Sequence, residues 1–299
     1  MSNLTLRILV ALVGIPVILL LCMAGGLLFF WFVATVSAIA LFEFYALARA
    51  KGASPQTVSG LVLGFCINAV FIFDRLKPIG PSLATISQLI LIVLLTFVAL
   101  VLVVELFRNK GSAFVDVGMT VLGVCYVSLF LGSLVGLREL FAPENFPVYR
   151  LFDFGGGAGE TIHRWGGLTV ATVFASIWIC DSAAYFVGIA YGKHKLYERI
   201  SPNKTWEGAL AGFAAAVVTF IIARAFFLEY MSFGSALMCG CIVGVFGQIG
   251  DMVESLFKRD AGVKDSSSLI PGHGGALDRF DSLIFVSPLL FLYFAFIVF

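Results

Sequence analysis

Apolar residues run along this chain in blocks long enough to cross a lipid bilayer, at roughly 8–22, 27–48, 58–73, 86–107, 117–137, 168–191, 207–228, 235–250 and 283–299. They are continuous blocks, not amphipathic stripes. A bilayer core is about 30 Å thick and a helix rises about 1.5 Å per residue, so a crossing helix needs roughly 20 apolar residues. The pattern predicts an all-α polytopic transmembrane protein of about nine spans, three of them near the short limit. Breakers separate the blocks, as in Lys51-Gly52-Ala53-Ser54-Pro55, Lys77-Pro78-Ile79-Gly80-Pro81 and Asn109-Lys110-Gly111-Ser112. No internal repeat or low-complexity tail interrupts the scheme.

Composition agrees. Of 299 residues, 60% are hydrophobic and 12% charged, and mean hydropathy is +1.03; a soluble domain has about 45–50% and about 25%. The net charge of +1 gives no field directed at nucleic acid. Cysteines 22, 66, 125, 180, 239 and 241 all sit in apolar runs without a CxxC pair, which reads as small, buried, reduced hydrophobes. Arg7, the run Ile8 to Cys22 and Met23-Ala24-Gly25-Gly26 have the outline of a signal peptide. A second spanning run follows almost at once, so the first is expected to be retained as a helix.

Orientation follows from lysine and arginine. With a cytoplasmic N-terminus, 13 of the 19 basic residues fall inside: Arg7, Arg49, Lys51, Arg108, Lys110, Lys193, Lys195, Arg199, Lys204, Lys258, Arg259, Lys264 and Arg279. Arg75, Lys77, Arg138, Arg150 and Arg164 fall outside, and Arg224 lies within a span. The longest outer loop, about 138–167, carries Gly155-Gly156-Gly157-Ala158-Gly159, which follows no strand and opens no helix and is read as a connector.

Charge concentrates in residues 251–281, DMVESLFKRDAGVKDSSSLIPGHGGALDRFD, with six acidic and four basic residues in 31 positions. Asp251, Glu254, Ser255 and Lys258 fall on one helical face, with Val253, Leu256 and Phe257 opposite, the pattern of an interfacial helix with a solvated side. Gly272-His273-Gly274-Gly275 lets backbone N–H groups approach an anion, although a plain turn also uses glycine. Asp278 and Asp281 open the final span, where the helix dipole favours acids. Carboxylates beside a glycine turn and several cations are also what a magnesium–nucleotide site requires.

A second polar run precedes the seventh block: Ser201-Pro202-Asn203-Lys204-Thr205-Trp206-Glu207-Gly208. Asn203 or Thr205 suits a helix cap and Trp206 an interfacial anchor, but neither role explains Lys204 and Glu207 together at a membrane entrance. Asp181 lies midway along an apolar span, where a carboxylate is costly and therefore a functional candidate. Glu43, Glu105 and Arg224 lie nearer span ends and are weaker candidates. His163 and His194 read as solvated loop residues.

Ser255-x-x-Lys258-Arg259, Lys264-Asp265 and His273-Gly274-Gly275-x-x-Asp278-Arg279-x-Asp281 together resemble the signature of the phosphatidate cytidylyltransferases, or CDP-diacylglycerol synthases. The run from Ser201 to Gly208 resembles that family's second characteristic stretch. The match covers roughly the last 120 residues, with Ala276 where the family usually has a larger aliphatic residue. The resemblance implies transfer of CMP from CTP to phosphatidic acid, giving CDP-diacylglycerol and pyrophosphate in phospholipid biosynthesis. It also implies a magnesium requirement, a cell-membrane location and an active site facing the cytoplasm, and it leaves a second cation and a homodimer open.

By the same resemblance, Asp251, Asp278 and Asp281 hold metal, with Asp181 in support. Lys258, Arg259, Lys264 and Lys204 meet substrate phosphates, and Gly274 and Gly275 provide the close approach. Ser201, Asn203, Thr205, Glu207, Ser255, Asp265, His273 and Arg279 complete the substrate-binding set. The chain then divides into N-terminal transmembrane helices (1–160) and a catalytic transmembrane region (161–299) with cytoplasmic loops 192–206 and 251–282. The chemistry suits the residues. A phosphate monoester has a second pKa of about 6 and is mostly dianionic at neutral pH, so positioning and charge neutralisation matter more than a general base. Two other classes stay open, a different CTP- or polyprenol-using membrane enzyme such as a lipid kinase, and a transporter with an intramembrane carboxylate.

Overall fold

The computed structural model describes residues 3–73, 86–108, 110–142, 158–269 and 274–299. Helices α1 (Asn3–Ala24), α2 (Gly26–Ala50), α3 (Thr57–Val70) and α4 (Ile86–Arg108) come first. Next, α5 (Ala113–Gly123) runs through a π-helical turn, Val124–Leu129, into α6 (Phe130–Glu139). The second half holds α7 (Ala158–Tyr191), strands β1 (Lys195–Tyr197) and β2 (Ser201–Thr205), α8 (Trp206–Phe226), α9 (Phe233–Asp260) and α10 (Leu277–Tyr293), which ends in a π-helical turn, Phe294–Val298.

Among the described residues seven helices are long and apolar enough to cross a membrane, and Val10–Ala24 and Thr57–Val70 are two shorter apolar stretches of helix. Each block expected from the sequence overlaps one of these. The chain is an all-α polytopic membrane protein, whose described strands form one antiparallel hairpin in the loop after α7.

Two expectations change. The interfacial helix expected to begin at Asp251 is the last part of α9, one unbroken 28-residue helix. Its faces are also mixed: Glu254 and Ser255 of the expected solvated side are buried, while Leu256 of the apolar side is exposed. In lipid the surroundings are apolar, so the polar face turns toward protein.

The chain forms two compact units. One gathers the described residues of Met1–Leu9, Gly26–Gly136 and Phe257–Arg279. Its helices meet at a junction around the loop between α2 and α3. The Ser54 N–H donates to Asp116 Oδ1 of α5 at 2.6 Å, Arg108 of α4 donates to the Ser54 carbonyl at 2.8 Å, and the Gln56 N–H donates to Thr120 Oγ1 at 2.8 Å. Lys51 pairs with Asp260 at 3.3 Å. The ends of α2 and α4 and the starts of α3 and α5 therefore share one face of this unit with the end of α9. Phe257 packs between Phe44 and Tyr126, with ring centroids 5.5 and 5.6 Å away.

The other unit holds Val10–Gly25, the described residues of Leu137–Leu256, and Phe280–Phe299. Here α7 and α8 run in close contact, because Gly208 and Gly212 have no side chain: a Cβ on either would lie 2.6 Å from the Ala184 carbonyl or 2.9 Å from that of Cys180. Arg138 is fully buried and donates to the carbonyls of Cys22, at 3.0 Å, and of His163, at 3.2 Å. Its guanidinium is also 3.0 Å from His163 Nε2. His163 is thus a helix residue paired with arginine, and Arg138 is no loop cation. Residues 155–157 of the glycine-rich run lie outside the described residues.

Candidate active site

In the second unit the site starts at the hairpin. The chain turns at 198–200, returns as β2 with Tyr197 opposite Ser201 and Lys195 opposite Thr205, and passes directly into α8. Thr205 is the N-cap, its Oγ1 accepting from the Gly208 N–H at 3.2 Å. Glu207 folds back to accept from the N–H groups of Lys193 and His194, at 3.1 and 3.3 Å, and lies 2.6 Å from His194 Nδ1. His194 is an exposed loop residue, as read from the sequence, with its ring against Glu207. These contacts fix the hairpin on the start of α8, so that Lys204 reaches Asp251 Oδ2 of α9 at 2.5 Å.

Asp251 has a second neighbour for a backbone reason. The preceding Gly250 meets α10 so closely that a Cβ there would lie 2.6 Å from the Asp281 carbonyl oxygen. This crossing brings Asp281 within the electrostatic influence of Asp251, Asp181 and Lys204. Ser255 Oγ stands 3.4 Å from Asp251 Oδ1, one turn along α9. Asp251 and Lys204 are thus paired beside the helix crossing that carries Asp281, while Asp181, on α7, is exposed. Gly250, on which the arrangement depends, was not foreseen. Its only signal was its place just before Asp251.

In the first unit α9 ends at Asp260 and the chain turns off at Gly262, in the left-handed region at φ +74°, with the Val263 N–H donating to the Lys258 carbonyl and the Gly262 N–H to that of Arg259. Lys258 Nζ pairs with Asp278 Oδ1 at 2.7 Å, the two side chains being 12% and 3% exposed. Asp278 Oδ2 accepts from the Ser266 N–H at 2.9 Å, the Ser266 hydroxyl at 2.9 Å and the Gly275 N–H at 2.7 Å. Gly274 has φ +86°, and a Cβ at Gly275 would meet Ser266 Oγ and stand 2.5 Å from the Glu43 carboxylate. The glycine pair thus serves an approach between backbone and the protein's own carboxylates, and the Gly275 N–H is already engaged.

Arg259, Lys264, Asp265 and Arg279 are exposed on and around this loop, as is Asn203 on β2, and Ser201 is half-buried. His273 lies outside the described residues. Glu43, ranked low in the sequence, is buried and bound to this loop.

The family model described as the Cytidylyltransferase family matches residues 5–297. A protein called phosphatidate cytidylyltransferase from Bacillus subtilis (strain 168) is 32% identical over 98% of this chain and 98% of its own length. Proteins of the same name from Staphylococcus aureus (strain COL) and Staphylococcus epidermidis (strain ATCC 12228) are 35% and 32% identical, each over 95% of this chain and 96% of theirs.

Proposed function

The chain belongs to the cytidylyltransferase family, and on that premise we propose that it transfers CMP from CTP to phosphatidate, giving CDP-diacylglycerol and pyrophosphate. A phosphatidate oxygen forms the new bond to the α-phosphorus of CTP, and the bond from that phosphorus to the bridging oxygen of the β-phosphate breaks. The observation that carries the reading is the Lys204–Asp251 pair beside the close crossing of α9 and α10 that carries Asp281.

Both substrates bring phosphate charge, so the reaction needs cations held in place. Lys204 is aimed by the hairpin and Lys258 by Asp278. We assign both ammonium groups to phosphate oxygens, along with the exposed Arg259 and Lys264. Among the described residues no three His, Cys, Asp or Glu side chains form a ready metal cage. Magnesium does not need one, because it binds through one or two carboxylates and completes its shell with phosphate oxygens and water. Asp251 and Asp281 fit that demand and would hold it, with Asp181 adding negative charge; bound there, it would neutralise charge developing on the pyrophosphate. Asp278 has its oxygens engaged by Lys258, by the N–H groups of Ser266 and Gly275 and by the Ser266 hydroxyl it shares with Glu43, so we assign it to holding Lys258 and the loop. We infer nine spans with this face toward the cytoplasm, from the 13-to-5 distribution of basic residues.

The test is pyrophosphate release by purified protein in mixed micelles. Release should require CTP, phosphatidate and divalent metal together, and should stop with chelator. A lipid kinase would leave CDP instead. Turnover in excess chelator would remove the metal from the mechanism.

A further inference from the structure

Glu43 sits in α2 with 3% of its surface exposed, and it accepts hydrogen bonds from the loop that follows α9 and from the start of α10. Its Oε1 accepts from the Ser267 hydroxyl at 2.5 Å and the Ala276 N–H at 3.1 Å. Its Oε2 accepts from the Ser266 hydroxyl at 3.0 Å and the Leu277 N–H at 2.7 Å. Ala276 and Leu277 are the cap and first residue of α10, whose N–H groups have no partner within the helix. A negative group there is also favoured by the helix dipole. From these contacts we propose that Glu43 is a positioning residue for the transfer reaction, a carboxylate clamp acting through Ser266 and Asp278 on Lys258.

The connection runs through named atoms. Ser266 gives its N–H to Asp278 Oδ2 and shares its one hydroxyl proton between Asp278 Oδ2, at 2.9 Å, and Glu43 Oε2, at 3.0 Å, and Asp278 Oδ1 holds the Lys258 ammonium. Gly275 leaves room for this: a side chain there would occupy the place of the Glu43 carboxylate. The geometry demands a carboxylate specifically, since each of its oxygens receives one backbone N–H. An amide in either orientation would turn its NH₂ against the N–H of Ala276 or of Leu277, leaving buried donors facing each other. Glutamine, though of equal size, is therefore the wrong residue, while aspartate keeps the two acceptors at shorter reach.

The proposal rests on the reading of Lys258 as a phosphate-binding cation, and the experiment separates the two. Glu43→Gln should lower kcat about ten- to hundredfold while protein accumulates normally in the membrane, and Glu43→Asp should recover part of the loss. Because Glu43 acts through Lys258, Glu43→Gln should cost little more in a Lys258→Ala background. Hydrogen exchange should quicken in the segment 261–277 and stay unchanged in α3–α5. Wild-type kcat and loop protection in Glu43→Gln would overturn the clamp. Losses that multiply with Lys258→Ala, or exchange that rises throughout α2–α5, would also overturn it by reducing Glu43 to a packing role. If Lys258→Ala alone keeps full activity, it is the reading of the loop that falls, and loop exchange in Glu43→Gln still decides whether the clamp exists.

Discussion

Two lysines are each held by one aspartate, and water reaches the two pairs differently. The Lys204 and Asp251 side chains are 28% and 32% exposed, whereas those of Lys258 and Asp278 are 12% and 3% exposed. Removing one partner of a buried pair strands a charge and costs about 3 kcal/mol or more; a pair open to solvent contributes about 1 kcal/mol or less. Asp278→Asn should therefore lower the thermal stability of detergent-solubilised protein clearly. Asp251→Asn should leave the melting temperature close to that of the parent and abolish turnover. A variant pair with equal melting temperatures would show that Lys258 finds another counter-charge. The aspartates and lysines of the site stood out in the sequence because ionisable residues are rare and costly in an apolar chain. Glu43 carries the same charge but lay near a block end, where a side chain can reach solvent. Its partners lie 223 to 234 residues further along the chain, a separation no local pattern reports.

At the scale of elements, the close crossing of α9 and α10 sets the spacing of Asp251 and Asp281, and two glycines one turn apart on α9 test it. A Cβ on Gly250 would lie 2.6 Å from the Asp281 carbonyl, a backbone atom that cannot swing aside. A Cβ on Gly247 would meet nothing nearer than 3.7 Å, an ordinary contact. Gly250→Ala should force the helices apart at a cost of about 1–3 kcal/mol. It should also raise the magnesium concentration for half-maximal activity, while Gly247→Ala remains close to the parent in both. Equal tolerance of the two would detach the metal requirement from this crossing. The hairpin offers a second test. Thr205→Ala removes a helix cap worth about 1 kcal/mol and loosens the aim of Lys204, so KM for CTP or phosphatidate should rise with little loss of protein in the membrane. The helices were legible because their apolar blocks match the bilayer. The hairpin was not, because its strands are three and five residues long and largely exposed, too short for alternation to register. The polar side of α9 was located as a face, yet Glu254 and Ser255 on it are buried, because an amphipathic pattern alone does not say whether water or lipid lies outside.

Across the whole molecule, the direction of the chain through the membrane decides whether the charged groups meet cytosolic nucleotide. The expected bias was 13 basic residues inside against 5 outside. Arg138 proves fully buried and engaged with helix carbonyls, so it leaves the loop count, and 5 − 1 = 4 outer cations remain. The bias strengthens. Within the first unit, contacts around Ser54 and the Lys51–Asp260 pair put the start of α5 on the same face as the end of α9. In the second, α8 leads away from the hairpin to the loop at Glu229 and α9 returns. Of the nine proposed crossings the weakest is α3, whose 14 residues span about 21 Å at about 1.5 Å per residue, short of a core of about 30 Å. Single cysteines placed at Ser112, Ser268 and Glu229, all exposed, in a background without the six native cysteines, test the arrangement. A membrane-impermeant thiol reagent applied to sealed cells should label the Glu229→Cys protein alone. Inside-out vesicles should reverse the result, labelling Ser112→Cys and Ser268→Cys. Labelling of Ser268→Cys from outside would turn the charged loop away from cytosolic CTP and end the proposed topology. Opposite sides for Ser112 and Ser268 would mean that an odd number of the helices between them cross the membrane, against the shared face seen within the first unit.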